Sequence, residues 1–140
     1  MGWIARLPFF VVLMGLGSIA MIIPAAHAAV LEDFTTMRVF FYGYVLFFFI
    51  TSLIGLSTLG YTPPSVARSQ LVGLLAAFSV LPIMFAVPLY AALGDITLLD
   101  AWFEMVSCFT TTGATLFAAG DGLTPSQHLW RGLVGWMGGL

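Results

Sequence analysis

Thr110-Thr111-Thr112-Gly113-Ala114-Thr115 gathers four of the chain's eleven threonines into six positions around one glycine. Rings of backbone carbonyls can replace the water shell of a dehydrated potassium ion, and Gly113 reaches backbone angles closed to other residues, so it can turn successive carbonyls toward one axis. The residues ahead of the cluster add a second attraction for a cation. Thr97, with Asp100 three positions on, has the pattern of a capping box and predicts a short helix from Leu98 to Cys108. Such a helix rises ~16 Å, about half a bilayer. Its negative dipole end and its last unpaired carbonyls then fall in mid-membrane, at the threonines. Non-helical backbone at that depth is tolerated where it is buried in protein or lines a watery cavity, as a filter does. The competing reading makes Thr110 to Thr115 a wet surface loop between two helices.

The surrounding chain is built for lipid. Of 140 residues 61% are apolar or aromatic and 7% charged, with a mean hydropathy of +1.07, against roughly 25% charged in soluble domains. Four arginines and six carboxylates leave a net charge of −2, so the basic face that nucleic-acid binding requires is absent. One cysteine, Cys108, forms neither an internal disulfide nor a CxxC metal site. Three uncharged runs, Leu7 to Leu31, Val39 to Ala67 and Ser69 to Gly94, each exceed the ~20 residues of a spanning helix. The turn signal Gly60-Tyr61-Thr62-Pro63-Pro64 trims the second helix to Val39 to Leu59. After Gly94, Asp95, Asp100 and Glu104 interrupt the pattern, and the stretch around the threonines is too short and polar to cross. Thr124, Pro125 and Gln127 then mark the capped start of another helix.

The arginines set the orientation. Arg6 and Arg68 fall on one side of a three-helix trace and Arg38 on the other, which places the N terminus in the cytoplasm. A rival reading makes Arg6, the apolar run and Ala26-His27-Ala28 a secretory signal, although the run is longer than a signal core. His27 has no metal-spaced partner and receives no role. Neither His27 nor His128 has a Ser or Cys nucleophile at a recognisable spacing, so the sequence reads as no enzyme. Phe40, Phe41, Tyr42, Tyr44, Phe47, Phe48 and Phe49 read as lipid-facing or interfacial bulk. Pro82 and Pro88 are expected to kink the third span. Arg131, within a membrane helix, needs a partner, and Glu104 or Asp121 is the nearest candidate. Gly135 and Gly139 form a GxxxG pattern suited to close packing within the pore region.

Pro88-Leu89-Tyr90, Asp100-Ala101-Trp102-Phe103-Glu104, Val106 to Thr115, Leu129-Trp130-Arg131 and Trp136-Met137-Gly138-Gly139-Leu140, in that order, resemble the first pore repeat of the Trk-type (TrkH-like) potassium-uptake proteins. The two preceding hydrophobic segments resemble the extra N-terminal helix pair of that branch. The resemblance implies an all-α membrane protein with a helix pair at 1–66 and the first pore repeat at 67–140. Within the repeat it implies an outer helix at about 69–94, a pore helix at about 98–108, a filter at 110–115 and a truncated second helix from 125. It implies potassium as the transported ligand, with no covalent cofactor, held by the carbonyls of Thr110, Thr111, Thr112 and Gly113, chiefly Thr111 and Thr112. Glu104 and Arg131 become a candidate structural ion pair. Expected partners are the lipid bilayer, a cytosolic nucleotide-binding regulatory subunit and a second copy of the full-length chain, and the expected location is the cell (inner) membrane. Cys108 departs from the small residue common at its position. Family members carry four such repeats, so the chain reads as an N-terminal fragment. The alternative is a non-conducting accessory or structural membrane protein.

Overall fold

The computed structural model describes residues 8–62, 65–118 and 122–140, and all regular structure among them is helical. Six helices follow one another: α1 (Phe9–Ala20), α2 (Ile22–Val30), α3 (Phe34–Thr58), α4 (Val66–Leu93), α5 (Leu98–Phe109) and α6 (Pro125–Gly139). Three stretches are long and apolar enough to cross a membrane: Phe9–Val30, Phe34–Thr58 and Val66–Leu93. The chain is therefore an all-α protein of membrane-spanning type. Arg6 and Asp121 lie outside the described residues.

The first span is two helices rather than the single one expected between Leu7 and Leu31. Pro24 has no N–H to return to the carbonyl of Ala20, and its ring crowds that carbonyl; α1 accordingly stops at Ala20 and α2 starts at Ile22. The second span begins earlier than the charge pattern indicates. Asp33 accepts the backbone N–H of Thr36 at 3.2 Å, which caps the helix at Phe34 and places Arg38 inside it. In the third span α4 runs unbroken through Pro82 and Pro88, from a Ser65 cap to Gly94 in the left-handed region at φ 73°.

Between helices in lipid, close packing and interhelical hydrogen bonds replace the hydrophobic drive of a soluble core. Glycines set the approach distances here. A side chain at Gly17 would meet the Phe85 ring at 2.5 Å, and one at Gly43 would meet Met21 and Pro88 at 3.4 and 3.5 Å. Phe40 corrects its sequence assignment: it is fully buried, and its ring meets Trp130 edge-on at 5.4 Å. The contact continues through Trp130 to Phe85 at 5.5 Å and from Phe85 to Phe109 at 5.8 Å. Pro88 deprives the Met84 carbonyl of its helical donor, and the adjacent Phe85 carbonyl accepts the indole N–H of Trp130 at 3.2 Å. This chain of rings and one hydrogen bond joins α3, α4 and α6 to the end of α5.

Candidate functional site

Both capping boxes of the last two helices form. Thr97 and Asp100 exchange hydrogen bonds of 3.0 and 3.1 Å at the start of α5, and Thr124 and Gln127 exchange bonds of 2.9 and 3.4 Å at the start of α6. The threonine segment lies between these helices and is exposed from Thr110 to Leu116.

The end of α5 differs from the expected row of unpaired last carbonyls. Thr111 N–H donates to Cys108 O at 3.0 Å and Thr112 N–H to Ser107 O at 3.0 Å, the paired bonds of a Schellman motif. Val106 O is likewise taken by Thr110 N–H at 2.9 Å and by the Thr110 hydroxyl at 2.7 Å. Three of the last carbonyls are thus satisfied internally, which leaves the helix dipole, rather than those oxygens, as what this end presents. The motif requires a left-handed residue just past the cap, usually glycine. Here that residue is Thr111, at φ 58°, an outlying conformation for a β-branched side chain. Gly113 follows at φ 78°. The segment therefore turns twice within three residues, where the sequence points to Gly113 alone.

Two anchors hold the segment from behind. The Ser107 hydroxyl donates to the Ala114 carbonyl at 2.5 Å. Glu104, fully buried, accepts the Thr115 hydroxyl at 3.0 Å, Leu116 N–H at 3.1 Å and Arg131 Nη2 at 2.5 Å. Arg131 Nη2 also donates to Thr115 Oγ1 at 2.9 Å, and its guanidinium stands 5.6 Å from the centre of the Phe117 ring. A buried carboxylate survives only when paired and hydrogen-bonded, and this one ties α5, the loop and α6 together. The structure thus brings Glu104 and Arg131 into contact. Thr115, Leu116 and Ser107 complete the network; Ser107 is ordinary in sequence, and Thr115, marked there only as a member of the threonine cluster, meets Glu104 because the chain folds back.

On its other side the segment meets glycines. A side chain at Gly138 would collide with the Phe109 carbonyl, one at Gly135 would lie 3.5 Å from Cys108 O, and one at Gly139 3.4 Å from the Thr111 methyl. The GxxxG pair faces the end of α5, as a packing motif should, but Gly138 makes the tightest approach. His27, given no role from sequence, has its Nδ1 2.8 Å from the hydroxyl of buried Ser126 and joins α2 to the first turn of α6. Among the described residues no group of His, Cys, Asp and Glu could hold a metal ion; the oxygens that Thr110 to Thr115 carry are backbone carbonyls and hydroxyls.

No family model matches the chain. It is 35% identical over 66 residues, 47% of its length, to the Trk system potassium uptake protein TrkI of Halomonas elongata. It is 34% identical over 76 residues, 54% of its length, to the uncharacterized cation transporter MJ1485 of Methanocaldococcus jannaschii. The chain spans 12% and 15% of the lengths of these two proteins. About half of it is thus similar to cation transporters.

Proposed function

We propose that this chain contributes one wall of a potassium-conducting pore, in which Thr110 to Gly113 forms a filter segment and the carbonyls of Thr111 and Thr112 bind the dehydrated ion. The observation that carries the reading is the double turn at Thr111 and Gly113, braced from behind by Glu104 and Ser107. A surface loop has no need of a buried carboxylate holding it from behind, whereas a filter must hold its oxygens in place against an ion that attracts them. The half-length helix α5, its dipole aimed at the segment, and the similarity to two cation transporters support the same reading.

In this reading residues 1–66 form a peripheral helix pair and 67–140 the first pore repeat, one repeat supplying one side of the pore. The protein resides in the cell (inner) membrane with its N terminus in the cytoplasm. It works with the rest of a Trk-type pore, a second copy of the full-length chain and a cytosolic nucleotide-binding subunit. The test is cysteine labelling in cells that express the protein from its own gene. With Cys108→Ser as background, a cysteine placed by Thr112→Cys is expected to react slowly with an impermeant thiol reagent and to be protected by potassium. Rapid labelling indifferent to potassium identifies a surface loop and a non-conducting accessory protein instead.

A further inference from the structure

Helices α2 and α3 form an antiparallel hairpin joined by Leu31, Glu32 and Asp33. Their outer faces do not close on each other. Ala25, Ala26 and Ala29, one stripe of α2, form the floor of an open trough of about 490 Å³ whose other wall includes Phe41 and Tyr42 of α3. Small residues on one side and rings on the other make it concave and almost wholly apolar. Arg38 lines the end nearest the hairpin turn. It is exposed, and no ion pair involving it occurs among the described residues. Glu32 stands in the turn itself, exposed, with its backbone held at φ 58°. Asp33 is engaged in capping α3.

The geometry points to a built site for one zwitterionic phospholipid: an acyl chain lies in the alanine trough, the phosphate meets Arg38, and a primary ammonium headgroup meets Glu32. The occupant follows from charge and position. A cation about one helical turn inside the start of a spanning helix sits at the depth of lipid phosphates, and arginine presents a fork of donors matched to them. Glu32, Asp33 and Arg38 together leave one net negative charge, so a lipid with a net negative headgroup gains at Arg38 and loses at the turn. Phosphatidylethanolamine offers one anion for Arg38 and, beside it, one hydrogen-bonding cation for the exposed carboxylate of the turn. A protein helix packed in the trough would have to carry its own anion to the depth of Arg38, which a phospholipid supplies in its headgroup.

The test is native mass spectrometry of the full chain in mild detergent, titrated with phosphatidylethanolamine, phosphatidylcholine and phosphatidylglycerol of identical acyl chains. One phosphatidylethanolamine is expected to be retained per chain, roughly threefold to fivefold in preference to each of the others, the effect of an interfacial charge contact. Arg38→Gln is expected to lower its retention to the phosphatidylcholine level. Glu32→Gln, which leaves helix packing untouched, is expected to remove the preference over phosphatidylglycerol. Ala29→Phe fills the trough and is expected to abolish retention of all three, with helix content checked by circular dichroism. Equal retention of the three lipids overturns the proposal, as does a preference that survives both charge substitutions. A dimer that forms without added lipid and is broken by Ala29→Phe assigns the trough to a second copy and likewise overturns it.

Discussion

Arg131 reaches Glu104 across the α5–α6 interface, Nη2 to Oε1 at 2.5 Å, and the same nitrogen contacts Thr115 Oγ1 at 2.9 Å. The carboxylate is fully buried and the arginine side chain only 20% exposed, so removing either partner leaves a charge with little solvent to receive it. Glu104→Gln is expected to destabilise the chain by about 3–5 kcal/mol and to release the loop at Thr115 and Leu116. Thermal unfolding in detergent reads the first effect. Glu104→Gln combined with Arg131→Met removes both charges and is expected to recover part of the loss, as buried pairs replaced by apolar groups do. If Glu104→Gln folds with normal yield yet abolishes rubidium uptake, the pair acts on the ion rather than as a brace.

Gly138 is the closest point between α6 and the end of α5. An added methyl would overlap the Phe109 carbonyl, and that obstruction is backbone, which cannot swing aside. Gly138→Ala is therefore expected to push α6 away from the threonine segment at a cost of about 1–3 kcal/mol, the usual penalty of overpacking. Gly132, on the same helix, has nothing within 4 Å of an added methyl, so Gly132→Ala is expected to stabilise by about 0.5–1 kcal/mol through helix propensity alone. Opposite shifts in the unfolding midpoint check both at once.

Asp100 titrates below its ordinary value of 3.8, chiefly because the Thr97 hydroxyl donates to it, with Thr97 N–H adding to the effect. Its folded-state pKa is depressed, so its contribution to holding the start of α5 is present above pH 3.8 and is lost as pH falls through the lower folded value. Amide exchange over Leu98 to Ala101 is expected to accelerate on acidification below that value. In Asp100→Asn the same amides are expected to exchange faster at neutral pH and to respond little to acid.

Much of this arrangement is legible in the sequence because its signals are local. The capping boxes at Thr97 and Thr124 are four-residue patterns, and the spans announce themselves as uncharged runs, although counting from charges misplaces the start of α3 because Arg38 lies inside the helix. What the sequence hides is relational. His27 and Ser126 are 99 residues apart, and nothing around either marks the other. Phe40 lies in a run of aromatics that otherwise faces largely outward, and its burial follows from Trp130 on a distant helix. Thr111 is hidden for another reason. Its left-handed turn runs against the preference of its own side chain, so local rules pass over it and give the role to Gly113.

That conflict yields the sharpest prediction. Thr111 occupies the left-handed position of the Schellman motif at a conformational cost of roughly 1–2 kcal/mol that glycine would not incur. Thr111→Gly is expected to relieve this cost, partly offset by the greater backbone freedom of glycine when unfolded, about 0.5–1 kcal/mol. The unfolding midpoint should stay level or rise slightly. If the carbonyls that follow bind an ion, the same change widens the range of angles through which they swing and should lower the preference for rubidium over sodium in uptake, even as stability holds. A stable Thr111→Gly protein with undiminished preference would place the ion ligands elsewhere, and would leave the left-handed threonine as a feature of helix termination alone.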